Sequence, residues 1–443
     1  MGIWRGQSGL LLLLAGLLLV TEAAGLAAQF NRDLASFIAV VLLQGALWAV
    51  AAALTVRATG PQSALALILG TALLLRLIAL AAPVFLSDDI NRYIWDGRVQ
   101  TAGINPYRYV PTDPALAPLR DEVIFPNINR SNYAPTIYPP IAQMLFLLAN
   151  RVAETAMAMK VVFVAVEAVG IWALLSVLQT VGKPRDHILL YVWHPLPVWE
   201  IAGSGHVDAA VVAFVALALA AAVTGRRAWS GAALAAATLV KFFPLVLAPA
   251  LWRPAKSNLG DWRWLVAFIA VIVVAYLPYI GVGFRVLGFL PGYVVEENLA
   301  AGSGFWVLDN LRHAVAVPLP AYLGLTITVM GGLAVGALRR PANSVASLPR
   351  ATALGTAVLF FASPHYAWYF VWLVVLLTVN PWWPAWWLTL TAVLLYWDPG
   401  TGTIPIWMGF AVYGGFVILT ATDLVRRFFF AESGTQHGID RAV

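Results

Sequence analysis

The amino-acid sequence predicts an all-α protein that crosses a membrane many times. Of its 443 residues, 61% are hydrophobic and only 11% are charged, and the mean hydropathy is +0.81. Soluble domains carry about 25% charged residues, so this chain has too few charges to cover a water-facing surface. Disorder requires low hydrophobicity and high net charge. The composition therefore excludes both a soluble enzyme and a disordered protein.

Hydrophobic stretches of spanning length follow one another along most of the chain. A membrane-spanning helix needs about 20 mostly apolar residues, and we count about 12 such stretches, with bounds of about 10 and 13. They lie at approximately 9–28, 35–56, 63–85, 157–180, 187–202, 207–224, 262–281, 319–338, 351–363, 366–379, 383–397 and 406–424. The prediction is a polytopic helical membrane protein without a convincing internal repeat.

Basic residues between the spans predict the orientation, because Arg and Lys are enriched in cytoplasmic loops. The clusters are Lys183/Arg185, Arg226/Arg227, Arg253/Lys256/Arg263, Arg339/Arg340 and Arg426/Arg427. If all of them lie in the cytoplasm, successive spans cross the membrane in alternating directions, and both termini are cytoplasmic. Residues 1–28 resemble a signal peptide as well. An uncleaved span is preferred, and the later topology is the same in either case.

Two apolar segments do not fit this alternation as full spans. Residues 139–154 contain two charges and are predicted to lie along the outer face or dip into it. Residues 229–251, which Lys241 and Pro244 interrupt, are predicted to form a re-entrant helical hairpin. Irregular backbone at that depth is tolerated only where protein or a water-filled cavity surrounds it.

The predicted organisation is one membrane domain, 1–443. Three N-terminal spans occupy 1–85, and a large outer loop with an interfacial helix occupies 86–156. The remaining spans occupy 157–443 and include a second outer loop at 282–318. Long ordered loops usually carry function.

The first outer loop concentrates charge at the membrane boundary. Residues 86–138 hold six carboxylates and five arginines, and Asp88 and Asp89 directly follow a span. Two adjacent carboxylates raise the pKa of at least one, which suits a general base or a metal ligand. Helical spacing groups three more candidates with them: Arg92, Trp95 and Asp96. The alternative is a capped surface helix with acids near its positive end.

Two further segments of this loop combine turn residues with aromatic residues. They are Gly103–Tyr109 and Pro135–Gln143, and amides beside tyrosines suit the recognition of a sugar. The candidates are Asn105, Tyr107, Tyr138 and Gln143. The alternative is an interfacial aromatic belt with turns.

Three ionisable residues cluster where two predicted spans meet at the outer face: Glu200, His206 and Asp208. Ionisable groups at membrane depth are costly and usually functional. A substrate-contacting role and an internal polar network that orders two helix ends are both open. Two possible metal ligands, His206 and Asp208, are weak evidence for a metal without a third.

Candidates for holding a phosphate are Lys241, inside the apolar hairpin, and Arg130, in the first outer loop. The alternative for Lys241 is a side chain that extends to the interface. His365 lies at an outer-face turn, on the same side as Asp88.

The chain lacks P-loop, G-x-G-x-x-G and G-x-S-x-G motifs and has no nucleic-acid-binding motif. It also has no cysteine, which excludes thiol chemistry.

With these residues identified, the chain resembles the GT-C class of integral-membrane glycosyltransferases. It is most similar to glycosyltransferase family 87, whose members use polyprenyl-phosphate-mannose. The matching segments are "SDDINRYIWDGR", "GINPYRY", "TIYPPIAQ", "WHPLPVWE", "SGHVD", "KFFP" and "SPHYAWY", which occur in the family's order. The resemblance implies a lipid-phosphate sugar donor and an outer-face acceptor site. It further implies a general base at Asp88 or Asp89 and an important outer-face histidine at His365.

The sequence thus predicts an inner-membrane glycosyltransferase that inverts the stereochemistry at the transferred sugar, which is expected to be mannose. Its partners would be the polyprenyl-phosphate-sugar donor, a lipid or glycan acceptor and membrane lipids, but no nucleic acid. We expect no metal or other cofactor, because protein cations can hold the single donor phosphate. The alternatives are a flippase or transporter for lipid-linked sugars and an acceptor-binding scaffold that has lost catalysis.

Overall fold

The computed structural model describes residues 2–57, 64–252, 262–339, 345–397 and 405–431. These residues form helices and connecting loops, with no β-strand among them. The predicted basic residues Arg253, Lys256 and Arg340 lie outside the described residues.

The longer helices are α1 (Gly2–Phe30), α2 (Leu34–Arg57), α3 (Leu65–Leu80), α4 (Asp89–Thr101), α5 (Pro140–Val152), α6 (Ala156–Thr180), α7 (Asp208–Val223), α8 (Arg227–Thr238), α9 (Trp262–Tyr276), α10 (Leu290–Glu296), α11 (Trp306–Arg312), α12 (Leu319–Arg339), α13 (Ser347–Ala362), α14 (Val371–Val379), α15 (Trp383–Thr391) and α16 (Gly415–Ala431). Shorter helical segments are Pro114–Leu119, Phe125–Asn127, Arg185–Ile188, Leu189–Val192, Pro195–Pro197, Val198–Gly203, Phe243–Leu247, Ala248–Leu251, Leu277–Leu287, Ala367–Phe370, Ala392–Tyr396, Ile406–Gly409 and Phe410–Gly414.

Within the described residues, six helical segments are long and apolar enough to cross a membrane. They are Gly9–Phe30, Leu34–Arg57, Ala156–Thr180, Trp262–Glu296, Leu319–Arg339 and Ile406–Phe428, and four shorter apolar helices accompany them. The prediction of an all-helical membrane protein is confirmed at this level. The count of about 12 spans stays a prediction.

Helix α7 lies at the centre of the protein, since 13 of its 16 residues are buried. A helix that is apolar on every side is stable only when other helices surround it. It packs against α6 and α8, and α8 in turn packs against α9. Asp208, the first residue of α7, therefore begins inside the helical core.

The structure differs from the predicted span at 187–202, where the helix is broken into several short segments. His194 is extended, with ψ 126°, immediately before Pro195. Proline disfavours the helical conformation of its predecessor and lacks an N–H donor. A π-helical segment, Val198–Gly203, follows the break and carries Glu200.

The predicted hairpin at 229–251 contains a helix break at the expected place. Helix α8 ends at Thr238, and the short segments Phe243–Leu247 and Ala248–Leu251 follow. Lys241 lies in the break. The re-entrant position of this segment in a membrane stays a prediction, as does the interfacial position of α5.

A buried ion pair connects three parts of the helical core. The Arg76 guanidinium on α3 donates to both carboxylate oxygens of Glu167 on α6, at 2.6 and 2.8 Å. The Tyr191 hydroxyl donates to the same carboxylate at 2.8 Å, and Arg76 also donates to the Val192 carbonyl at 2.9 Å. Charges with no access to water need such internal partners.

This ion pair predicts a non-additive mutational effect. Arg76→Met and Glu167→Gln should each lower the free energy of unfolding by about 3–5 kcal/mol, because each leaves a buried group of the other residue without its partner. The double variant should lose less than the sum of the two single losses. Equilibrium unfolding in mixed micelles measures this.

Arg57→Met is the control, because Arg57 is exposed at the end of α2. It should change the unfolding free energy by no more than about 0.5 kcal/mol. Additive losses in the double variant would contradict a direct coupling.

Candidate active site

One large cavity brings together segments that are far apart in the sequence. It has a volume of about 620 Å³ and is lined by the first outer loop, the helix break after α8, helix α10 and the turn before α14. The predicted site residues that line it are Asp88, Asp89, Arg130, Tyr138 and Lys241. A cavity of this volume accommodates a ligand of small-molecule size.

The first wall of the cavity contains the two adjacent carboxylates. Asp89 begins α4, and Asp88 is its N-cap residue without a side-chain capping bond, which leaves the carboxylate free for the cavity. The Asn129 amide donates to Asp88 at 2.9 Å and to Asp89 at 3.0 Å. The Tyr138 hydroxyl donates to the other Asp89 oxygen at 3.2 Å.

The surroundings of Asp88 favour its protonated form. Protein atoms that displace water from this carboxylate raise its pKa. The hydrogen bond from Asn129 opposes this effect, and the negative charge of Asp89 adds to it. A carboxylate with a raised pKa is a stronger base than an ordinary surface aspartate.

Of the two cations that line the cavity, Lys241 is the more buried. Its Nζ lies 2.6 Å from Oδ2 of Asp208 and 4.8 Å from the ring centre of Tyr369. Asp208 is fully buried, whereas Lys241 is 13% exposed and reaches the cavity. The pair therefore presents a cation to a ligand while its counter-charge stays inside the protein.

Glu200 and His206 lie behind the cavity wall and do not line it. The Tyr396 hydroxyl donates to Glu200 at 2.7 Å, and His206 Nε2 lies 3.5 Å from the same carboxylate. The His206 ring stacks on Trp368 at 4.2 Å. Since Tyr396 and Trp368 do line the cavity, these two predicted residues support its aromatic wall from behind.

Arg130 connects the first outer loop to the second. Its Nε lies 2.5 Å from Glu296, and its guanidinium lies 3.8 Å from Glu297. His365 Nδ1 lies 3.7 Å from Glu297. Burial lowers the pKa of His365, so its ring is neutral at neutral pH. His365 thus contacts Glu297, where the two outer loops meet, and lies outside the lining of the large cavity.

Four other predicted site residues lie outside the large cavity, and two of them, Asp96 and Gln143, join α4 to α5. Arg92 donates to Asp96 at 2.9 Å, and the Gln143 amide donates to Asp96 at 2.9 Å. Trp95 is 1% exposed and packs against Phe125. Arg92 also lines a separate cavity of about 20 Å³ beside Asp89.

Asn105 and Tyr107 each donate a side-chain hydrogen bond to a backbone carbonyl. The Asn105 amide donates to the Tyr279 carbonyl at 2.9 Å, and the Tyr107 hydroxyl donates to the Tyr138 carbonyl at 2.7 Å. Both residues lie outside the large cavity. The bond from Tyr107 holds the backbone at Tyr138, which lines the cavity.

Sequence reasoning missed Asn129, and it missed the second outer loop as a source of cavity residues. Asn129 lies in a short sequon that carries little weight alone. Tyr293 and Glu296 of α10 also line the cavity. The adjacent acids Glu296 and Glu297 were a possible signal, because they repeat the acid-pair pattern of the first loop. Within the described residues, no group of three or more His, Asp or Glu side chains could hold a metal ion.

Comparison with known families identifies the class of enzyme. Residues 4–254 match the model of a family described as "Alpha-(1->6)-mannopyranosyltransferase, N-terminal domain". The match covers more than half of the chain, which therefore belongs to this family. No curated protein and no solved structure matches the chain. The protein is a membrane mannosyltransferase of the GT-C kind, which confirms the prediction of a glycosyltransferase.

The ion pair between Arg130 and Glu296, which connects the two outer loops, can be tested by hydrogen–deuterium exchange. Glu296→Gln removes the carboxylate that pairs with Arg130, so backbone amides of α10 should exchange about three- to fivefold faster with solvent. Hydrogen–deuterium exchange with mass spectrometry measures this. Glu122→Gln, at an exposed acid of the first loop, should leave α10 unchanged. Equal exchange of α10 in both variants would show that the pair does not restrain the loop.

Proposed function

We propose that this mannosyltransferase transfers mannose from a polyprenyl-phosphate donor to a hydroxyl of a lipid or glycan acceptor. The observation that carries the proposal is that a single cavity is lined by Asp88, Asp89 and Lys241. Such a cavity offers a base for an acceptor and a cation for a phosphate. The resemblance of seven ordered segments to glycosyltransferase family 87 supports the same donor.

The proposed reaction is one direct displacement. An aspartate accepts the proton of the acceptor hydroxyl while that oxygen forms a bond to the anomeric carbon of mannose. The bond between the anomeric carbon and the phosphate oxygen breaks, and its electron pair leaves with the lipid phosphate. One displacement inverts the anomeric configuration. A cation beside the phosphate stabilises the charge that develops there.

We assign the general base to Asp88. Both oxygens of Asp89 accept hydrogen bonds, from Asn129 and from Tyr138. Among the described residues, Asp88 accepts a side-chain bond at Oδ1 only, so Oδ2 remains for an acceptor hydroxyl. Asp89 would keep the proton affinity of Asp88 high through its negative charge.

We assign the donor phosphate to Lys241. Arg130, the other predicted phosphate ligand, also lines the cavity, but it faces two carboxylates of the second loop. Lys241 has one counter-charge, and its partly exposed side chain lines the cavity. The neighbouring Phe242, Leu290 and Leu395 give the cavity an apolar side that suits the first isoprene units.

The proposed location is the outer side of a bacterial inner membrane. This assignment rests on the predicted cytoplasmic position of the basic clusters and of both termini. We propose that no divalent metal is required, because Lys241 and Arg130 place two cations at the cavity wall.

Separate substitution of the two acids tests the mechanism. Asp88→Asn should lower kcat about 100-fold or more, because it removes the proton acceptor. Asp89→Asn should lower kcat less, since it removes a neighbouring charge and a hydrogen-bond acceptor. The assay is transfer of mannose by purified protein from polyprenyl-phosphate-mannose to membrane acceptors. Unchanged transfer by the Asp88→Asn/Asp89→Asn double variant would contradict an aspartate base.

A double variant that removes both charges of the Lys241–Asp208 pair tests whether Lys241 binds the donor phosphate. The double variant Asp208→Asn/Lys241→Met removes the cation without leaving a buried carboxylate, so folding is preserved better than in Lys241→Met alone. Its KM for the donor should rise about tenfold, the loss of one charge-assisted contact. The measurement is initial rate against donor concentration.

The control is Asp208→Asn, which keeps the Lys241 ammonium. It should retain a donor KM within about threefold of the wild type. A double variant that binds donor as well as this control would assign Lys241 a structural role only.

A further inference from the structure

One side-chain amide contacts both carboxylates of the candidate site. Asn129 Nδ2 lies 2.9 Å from Oδ1 of Asp88 and 3.0 Å from Oδ1 of Asp89. A primary amide carries two hydrogens, so each can be donated to a different carboxylate. Two adjacent carboxylates otherwise repel each other when both are ionised. The amide places partial positive charge between them.

The loop that carries Asn129 is attached to the helix that begins with the acid pair. The Asn91 amide on α4 donates to the Asn127 carbonyl at 3.4 Å. Arg92 on α4 donates to the Ala134 carbonyl at 3.2 Å. Bonds on both sides of Asn129 thus hold the amide against the first turn of α4.

The backbone at the next residue explains how this loop serves two partners. Arg130 has φ 54°, a left-handed conformation that is uncommon for a residue other than glycine. The side chain of Asn129 reaches the acid pair, whereas that of Arg130 reaches Glu296 in the second outer loop. Such conformations persist only where surrounding contacts hold them, and they cluster at functional sites.

We propose that Asn129 is a positioning residue that holds the two aspartates in the arrangement in which the base is ionised. This inference rests on the proposed function, in which an aspartate of this pair takes the acceptor proton. Asn129 donates to both carboxylates, which stabilises their charged form, and it fixes the direction of the second Asp88 oxygen. Its loss would leave the acids in place but protonated over a wider pH range.

Other charged and titratable groups surround the pair and must stay constant in the test. The cations are Arg92, Arg130 and Lys241, the acids are Asp208 and Glu296, and the hydroxyls are those of Tyr93, Tyr138, Tyr366 and Tyr396. A substitution at Asn129 alters none of these groups. A shift of the pH profile would therefore report the lost amide.

The first experiment is the pH dependence of mannosyl transfer by Asn129→Ala and Asn129→Asp. A hydrogen bond to a carboxylate stabilises the ionised form, so its removal raises the pKa. The acid limb of kcat should move to higher pH by about one unit in Asn129→Ala, with about a tenfold lower rate below that limb. It should move further in Asn129→Asp, which adds a third negative charge.

The matched control is Asn127→Ala. Its side-chain amide, two residues earlier in the same loop, donates to the Val123 carbonyl at 2.8 Å and, among the described residues, to no carboxylate of the acid pair. This variant should keep the acid limb of the wild type. A general loss of loop structure would instead affect the Asn127 and Asn129 variants alike.

The second experiment does not depend on transfer. In an infrared pH titration, the spectrum of the Asp88→Asn/Asp89→Asn variant is subtracted from that of the wild type. The difference isolates the carboxylate band of the acid pair. Its midpoint should rise by about one pH unit when Asn129→Ala is introduced. An unchanged midpoint would overturn the positioning role. If the wild type transfers no mannose but Asn129→Ala still shifts the infrared midpoint, the proposed function is overturned and the role of Asn129 is supported.

Discussion

The exclusion of water from the helical core requires that every buried charge find its partner within the protein. This constraint organises the structure. The Arg76–Glu167 pair joins α3 to α6, and the Gln44 amide bonds Glu22 at 2.7 Å between α2 and α1. Asp208, at the buried start of α7, pairs with Lys241 from the break after α8. Each pair joins two separate segments of the chain.

The same constraint shapes the cavity. Its charged groups contact one another before any ligand enters: the aspartates share one amide, and Lys241 and Arg130 each face acids. A ligand phosphate must therefore interact with a cation whose field is partly neutralised. Because Asp208 is buried and lies outside the cavity lining while Lys241 lines the cavity, that cation can still accept a second anion.

Hydropathy was sufficient to predict the helical membrane architecture, and it failed where proline chemistry overrides composition, as at His194–Pro195. The acid pair, Arg130 and Tyr138 were predicted from residue types in the first outer loop. Lys241 was predicted from its place in an apolar hairpin, and all five residues line the cavity. Glu200, His206 and Arg92 are of similar residue types, but Glu200 and His206 lie behind the cavity wall, and Arg92 pairs with Asp96 on its own helix. A single sequence does not specify which polar residue faces a cavity and which faces another helix, nor that α10 meets the first loop.

Chain breaks, more than any helix face, determine where the cavity forms. Pro139, Pro244 and Pro364 each lie at the end of a helix or at a turn beside it. Backbone groups released at such breaks must be satisfied again. The Ile141 N–H donates to the Leu239 carbonyl, and the Tyr413 hydroxyl donates to the Pro364 carbonyl. These bonds fix the broken ends to neighbouring segments, so the irregular segments converge and enclose the cavity.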